Sequence, residues 1–123
     1  MLIFEKTLSG HERVNFIDRN NRFVGFDMES QCCENYGWVI SETESDTPWN
    51  LESIPNAAER VLTYVFNTDF GDKGIKDGDG YVVFQLISAR EPNLYLYLFN
   101  DHNGYYSHGF EFGDIKITST WGI

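Results

Sequence analysis

The chain has 123 residues, with 9 lysines and arginines against 19 aspartates and glutamates, and its formal net charge at pH 7 is −10. This length suffices for one domain with its own core, and the charge argues against nucleic acid or an anionic membrane surface as a partner. No apolar run approaches the roughly 18 residues of a transmembrane helix, and the first residues lack the basic and apolar segments of a signal peptide.

The first third of the chain predicts short strands separated by turns. Apolar residues alternate with polar ones, which is typical of half-buried strands. The predicted strands are residues 2–6, 13–18, 22–28 and 36–41. The second and third form a hairpin around Arg19-Asn20-Asn21.

The middle of the chain is less regular. Residues 41–53 (SETESDTPWNLES) form a polar loop, within which Trp49 either folds back onto the core or stands exposed as a contact residue. Residues 55–61 are the only candidate helix; the alternative is a strand over 60–67 after an irregular turn. Residues 71–80 contain four glycines and predict a loop.

The last third predicts three further strands, over residues 81–88, 94–100 and 105–112. Asn103-Gly104 is a strong hairpin signal. A three-residue loop with a left-handed Gly104 separates apolar from polar residues better than a two-residue loop does. That register pairs Leu94 and Leu96 with Phe112 and Phe110. The alternation then breaks at Gly113, which indicates a bulge.

Together these elements predict a mostly β fold over residues 1–123. We expect a single antiparallel sheet domain, either a sandwich or a strongly curled sheet, with at most one short helix.

The predicted hairpin has one face rich in tyrosine. Its members are Tyr95, Tyr97, Phe99, Tyr105, Ser107 and Glu111. Tyrosine gives a large contact area with a polar tip, so this face is a candidate recognition surface. A second layer that covered it would make the same residues core instead.

The negative charge is unevenly distributed. No lysine, arginine or histidine lies between Phe23 and Glu59, whereas that stretch holds Asp27, Glu29, Glu34, Glu42, Glu44, Asp46, Glu52 and Glu59. Such a stretch suits a basic protein partner or mimicry of a nucleic acid, and it also serves solubility alone.

The two cysteines, Cys32 and Cys33, are adjacent in the sequence. Neighbours on a strand point to opposite faces, so we expect free thiols and a cytoplasmic location. A zinc site would need one of them together with His102 and His108, a set without the usual spaced pairs. We expect no cofactor. The aspartate-rich loop 69–79 also lacks the spacing of an EF-hand.

An enzyme is the weaker class. Ser107 and His108 are neighbours and would point to opposite faces of a strand, and the chain has neither a G-x-S-x-G elbow nor a phosphate-binding glycine loop. Asp101 and Glu111 could form a carboxylate pair, but in so acidic a chain some pair always can.

Three segments, residues 24–34, 81–88 and 94–107, resemble a family of small uncharacterised bacterial and phage domains. The shared features are a Gly-x-Asp…Cys-Cys-Glu element and an Asn-Gly-Tyr-Tyr-Ser turn. The matching residues are Gly25, Asp27, Cys32, Cys33, Glu34, Asn103, Gly104, Tyr105, Tyr106 and Ser107. The resemblance implies a fold but no activity, and a phage or mobile-element origin would suit a small acidic inhibitor.

We therefore predict a non-catalytic module that binds a protein partner, with self-association left open. The predicted binding residues are Tyr95, Tyr97, Tyr105, Glu111, Trp49, Cys33 and Glu34. One alternative is a small-ligand or metal-binding domain, with Cys32, Cys33, His102 and His108 as the candidate metal ligands. A further alternative is an acidic mimic of nucleic acid.

Overall fold

The computed structural model describes residues 1–8, 11–29, 35–101, 108–114 and 118–123. Within these residues the chain forms ten strands and one short α-helix. The strands are β1 (Leu2–Leu8), β2 (His11–Ile17), β3 (Arg22–Asp27), β4 (Tyr36–Ser41), β5 (Val65–Phe66), β6 (Lys76–Gly78), β7 (Tyr81–Ile87), β8 (Leu94–Asn100), β9 (Gly109–Asp114) and β10 (Thr118–Gly122). The helix α1 (Ala57–Arg60) lies between two 3₁₀ turns, at Pro48–Asn50 and Val61–Thr63.

The strands form two antiparallel sheets. Sheet 1 has the strand order β1-β2-β3-β9-β10, and sheet 2 has the order β4-β8-β7-β5, with β6 also paired to β7. The predicted fold class, a mostly β chain with at most one short helix, is confirmed. Among the described residues, no helix is long and apolar enough to cross a membrane.

The main core lies between the two sheets, which identifies the fold as a sandwich. Sheet 1 contributes Val14, Phe16, Val24, Phe26, Phe110 and Phe112, and sheet 2 contributes Ile40, Phe66, Val82, Phe84, Leu86, Leu94, Leu96 and Leu98. Edge-to-face ring pairs join the sheets. The ring centroids of Phe16 and Trp38 are 5.2 Å apart, and those of Phe84 and Phe112 are 5.8 Å apart.

The predicted hairpin in the first third of the chain is confirmed. β2 and β3 pair residue for residue from Arg13–Asp27 to Ile17–Phe23. The turn between them places Asn21 in the left-handed region, with φ of 62°. Asparagine tolerates this conformation better than most residues.

The predicted pairing of the strands at 94–100 and 105–112 is wrong. β8 lies between β4 and β7 in sheet 2, whereas β9 lies between β3 and β10 in sheet 1. Leu94, Leu96, Phe110 and Phe112 do share one core, but they reach it from opposite sheets. Alternation reports which residues face a core, and it does not report whether two strands are neighbours or face each other across it. The turn at 102–104 lies outside the described residues.

Three smaller expectations have different outcomes. The candidate helix over 55–61 is present as α1 (Ala57–Arg60), whereas only Val65–Phe66 of the alternative strand over 60–67 is a strand. The glycine-rich segment 71–80 is not wholly a loop, because it contains β6. The bulge expected at Gly113 is absent from the pairing of β9 with β3, which is regular from Phe110 to Asp114.

A buried carboxylate links the two sheets. Asp18 follows β2, and its Oδ1 accepts hydrogen bonds from the backbone N–H groups of Asn20 (2.9 Å) and Arg22 (3.0 Å). Its Oδ2 accepts the backbone N–H of Phe66 in β5 at 2.9 Å. One side chain therefore fixes the β2–β3 turn and ties it to the edge of the other sheet.

We expect Asp18→Ala to lower the free energy of unfolding by about 2–4 kcal/mol, because it leaves the buried Phe66 N–H without its acceptor. Asp18→Asn should recover only part of this loss, since its amide group would turn a donor toward one of the N–H groups. Urea unfolding measures both variants. The exposed Asp69 provides the control, and Asp69→Ala should stay within about 0.5 kcal/mol of the wild type. Equal losses at the two positions would contradict the linking role.

Candidate functional site

The outer face of sheet 2 is covered, and it carries Tyr95, Tyr97 and Phe99 of the predicted tyrosine surface. Val39, Phe70, Val83 and Tyr97 form a second, smaller apolar cluster there. Tyr97 is fully buried. The expectation that Tyr97 belongs to an exposed recognition face is therefore wrong, because the polar loop after β4 and the loop before β6 supply a further layer.

The hydroxyl of Tyr97 anchors that loop to the sheet. It accepts the backbone N–H of Ser45 at 2.6 Å and donates to the backbone carbonyl of Thr43 at 3.4 Å. Burial is the main cause that raises the pKa of Tyr97 to about 12, and the nearby carboxylate of Glu44 acts in the same direction. The hydrogen bond from Ser45 opposes the shift.

The other predicted binding residues do not converge. Tyr95 is half-buried, with its ring centroid 6.1 Å from that of Phe70. Glu111 lies in sheet 1, where it forms an ion pair with Arg13 at 3.4 Å. The expected common face of Tyr95, Tyr97 and Glu111 is therefore wrong, since β8 and β9 belong to different sheets. Tyr105, Cys33 and Glu34 lie outside the described residues.

Trp49 folds back onto the protein, as one of the two interpretations of the sequence expected. It is half-buried, and its ring centroid lies 6.5 Å from that of Tyr81 in an edge-to-face arrangement. The ring centroids of Tyr81 and Tyr97 are 5.8 Å apart. The ring of Trp49 thus continues a row of aromatic rings that runs from the polar loop to sheet 2.

Only one candidate metal ligand, His108, lies within the described residues. His108 is buried, its Nδ1 is 2.8 Å from the backbone carbonyl of Asp27, and its ring stacks on Tyr36 at 4.2 Å. Because a carbonyl can only accept, this Nδ1 carries the proton. Cys32, Cys33 and His102 lie outside the described residues. The part of the chain that is described contains no group of three or more potential ligands.

A cleft opens between the polar loop and the outer face of sheet 2, and we call it the acidic cleft. Its volume is about 590 Å³, and its lining residues are Glu44, Ser45, Asp46, Lys76, Asp77, Tyr81, Val83 and Tyr97. Three carboxylates and one ammonium group line this cleft together with the half-buried ring of Tyr81. The acidic cleft therefore has a local charge of the same sign as the whole chain.

Lys76 shows what this cleft can hold. Its Nζ lies 3.7 Å from Oε2 of Glu44 and 4.8 Å from the centroid of the Phe70 ring. An ammonium group between a carboxylate and an aromatic face is stabilised by both. The wall of the acidic cleft thus already binds one cationic side chain, which comes from the protein itself.

A second, larger cleft of about 770 Å³ lies at one end of the sandwich, and we call it the mixed-charge cleft. Its lining residues are Arg22, Thr68, Asp72, Lys73, Ile75, Lys76, Asp77, Phe112, Gly113 and Asp114. It therefore presents three cationic and three anionic side chains around an apolar floor. Lys76 and Asp77 line both clefts.

Sequence reasoning identified part of the acidic cleft and missed the rest. Glu44 and Asp46 belong to the acidic stretch that the charge distribution singled out. Lys76, Asp77 and Tyr81 come from the segment around β6, and they reach the cleft because Lys76 pairs with Val83 and Asp77 with Val82. Nothing in the sequence of this segment indicates that Lys76, Asp77 and Tyr81 lie beside residue 44.

No protein-family model, curated protein or solved structure matches this chain. The resemblance to small bacterial and phage domains therefore stays a prediction, and the function must be argued from the geometry.

We expect Tyr97→Phe to lower the free energy of unfolding at pH 7 by about 1 kcal/mol, the usual value of one hydrogen bond.

We also expect the buried hydroxyl of Tyr97 to make the stability of the protein depend on pH. Between pH 10 and 12 the tyrosine ionises in the unfolded chain but keeps its proton in the folded protein, so stability falls as the pH rises through this range. Tyr97→Phe should make that fall smaller. Urea unfolding from pH 8 to 12 measures it, and identical slopes for both proteins would contradict the burial of this hydroxyl.

Proposed function

We propose that the protein is a non-catalytic binding module that holds a basic segment of a protein partner in the acidic cleft. The observation that carries this proposal is the arrangement of three carboxylates, from Glu44, Asp46 and Asp77, around the ring of Tyr81 in a concave surface. A lysine or arginine side chain combines a cation with an apolar stem, and this arrangement matches both parts.

The position of Lys76 supports the choice of a cationic ligand. Because Lys76 pairs with Glu44 beside the aromatic ring of Phe70, this region of the protein is suitable for an ammonium group. The side chain of Glu44 is still 52% exposed, so it can accept a second cation beside Lys76. A partner's basic side chain would then meet carboxylates that are only partly desolvated, which keeps the cost of binding low.

The wall of the acidic cleft is fixed before any partner binds. The hydrogen bond between the Ser45 N–H and the Tyr97 hydroxyl ties the polar loop to sheet 2, and the ring of Trp49 supports Tyr81. Preorganisation of this kind reduces the entropy lost on binding. The net charge of −10 adds long-range attraction for a basic partner, which raises the association rate more than the affinity.

We infer a cytoplasmic setting for this interaction. The adjacent Cys32 and Cys33 suit a reducing compartment, as the sequence indicates. The proposal needs neither a metal nor a cofactor.

The test uses a deca-lysine peptide as the probe and follows backbone amide chemical shifts by NMR. We expect the largest shifts at Ser45, Asp77 and Tyr81, which line the acidic cleft. The double variant Glu44→Gln/Asp46→Asn should weaken binding about tenfold, since each exposed carboxylate contributes up to about 1 kcal/mol. Lys76→Gln should strengthen binding, because it removes the competing cation.

The matched control is Glu52→Gln/Glu59→Gln, which makes the same change in net charge at exposed positions that do not line the acidic cleft. This control should bind deca-lysine nearly as well as the wild type. If the two double variants lost affinity equally, binding would depend on total charge alone and the proposed site would be wrong.

The mixed-charge cleft favours a second candidate function, the binding of a small zwitterionic molecule. Its volume of about 770 Å³ falls in the range of small-molecule sites, and its opposed charges suit a ligand that carries both signs. The same NMR experiment separates the candidates when free amino acids replace the peptide. A ligand in this cleft shifts the amides of Lys73 and Gly113, whereas deca-lysine in the acidic cleft shifts those of Ser45 and Tyr81.

A further inference from the structure

The outer face of sheet 1 presents an apolar patch to solvent. On β1, Leu2 is 59% exposed and Phe4 is 46% exposed. Leu2 pairs with Ile17 of β2, and Ile17 pairs with Phe23 of β3, so these three side chains form one row on the same face. Ile17 and Phe23 are only half-buried. Contiguous exposed apolar side chains usually mark an interaction surface.

The two outer faces of the sandwich differ. The outer face of sheet 2 is also apolar, but the polar loop covers it and buries Val39, Val83 and Tyr97. No such layer reduces the exposure of Leu2 and Phe4. The chain's own loops therefore cover the apolar outer face of sheet 2, whereas Leu2 and Phe4 on the outer face of sheet 1 are exposed to solvent. We call this outer face of sheet 1 the open face.

The open face is locally neutral although the chain carries a charge of −10. Among the side chains that the structure describes, four charged ones belong to it, namely Lys6 on β1, Arg13 on β2, Asp27 on β3 and Glu111 on β9. The two cations lie on β1 and β2, at one edge of the sheet. The two anions lie on the central strand β3 and on its neighbour β9. Side chains of opposite charge are thus attached in different halves of the face, although Arg13 reaches across β3 to pair with Glu111 of the same copy.

The shape of the open face changes in the same direction. The bulky side chains of Leu2, Phe4 and Ile17 stand on β1 and β2. By contrast, the outward positions of β9 are Gly109, Glu111 and Gly113, because Phe110 and Phe112 point into the core. One half of the face is therefore raised and the other half is low.

Gly25 keeps the middle of the face flat. A β-carbon at this position would lie 2.6 Å from Nη2 of Arg13, so the glycine leaves room for the guanidinium group to cross the strand toward Glu111. This arrangement holds the charged groups close to the sheet surface, and it leaves room for a second layer to approach.

We propose that a second copy of this chain covers the open face, packed sheet 1 against sheet 1 around a twofold axis that runs along the strands. Such an axis places the raised, cationic half of one copy over the low, anionic half of the other. Arg13 of each copy then lies near Glu111 of its mate. A surface with this polarity is complementary to itself, which is the requirement for a symmetric dimer.

The size of the face agrees with a weak dimer. Five strands spaced by about 4.8 Å and six residues long at about 3.3 Å each cover roughly 500 Å². The two copies together bury about 1,000 Å², the lower limit for a specific interface. A heterologous basic partner is drawn to the acidic cleft instead, since the open face has no net charge to attract it.

Sedimentation velocity at increasing protein concentration tests the proposal. We expect the wild-type mass to double between about 1 µM and about 200 µM. Phe4→Glu should shift dimerisation to at least tenfold higher concentration. The control is Leu62→Glu, which also replaces an exposed apolar side chain with a carboxylate, at a leucine that is 56% exposed in a 3₁₀ turn outside both sheets. This control should dimerise like the wild type.

A charge exchange tests the orientation of the two copies. The double variant Arg13→Glu/Glu111→Arg should form dimers with itself but not mixed dimers with the wild type, because mixed pairs place like charges together. Circular dichroism confirms that each variant is folded. A wild type that stays monomeric at ~200 µM, a Phe4→Glu variant that dimerises unchanged, or free mixing of the two charge patterns would each overturn the proposal.

Discussion

The buried carboxylate of Asp18 is the contact on which the arrangement of the two sheets depends. It accepts backbone N–H groups from both sides of the sandwich, and so it fixes the edge strand β5 relative to the β2–β3 hairpin. The segment that follows β5 leads into β6 and supplies residues to both clefts. A buried polar group with all its hydrogen bonds made specifies one arrangement, where apolar contacts alone would tolerate several.

The sequence predicted which residues of a strand face the core, but it did not predict which strands are neighbours in a sheet. Alternation placed Val14, Phe16, Val24 and Phe26 on a core face, and the structure buries all four. The same rule could not reveal that β8 and β9 belong to different sheets, because apolar faces match equally well beside each other or across a core. The short β6 escaped detection because Lys76, Asp77 and Gly78 have no apolar side chain and owe their conformation to β7.

Only the negative charge of the candidate site could be predicted from the sequence. The acidic stretch pointed to Glu44 and Asp46, which do line a cleft, but a tyrosine expected at the surface proved to anchor the cleft from inside. A phenol serves either purpose, and only the presence of a covering loop decides between them. In that loop, Trp49 was the one residue whose type indicated that the loop could fold back onto the protein. The two outer faces thus differ in charge as well as in cover: one carries an acidic cleft, and the other carries exposed apolar side chains.

The topology of sheet 1 has a consequence for the order in which the protein folds. Sheet 2 is built from strands between residues 36 and 100, and its long strands β7 and β8 are sequential neighbours. Sheet 1 is completed only when β9 pairs with β3, which joins Arg22 to Asp114 across almost the whole chain. Closing so long a loop slows folding. During synthesis on the ribosome, β3 therefore keeps one edge without its partner strand until residues 109–114 have emerged.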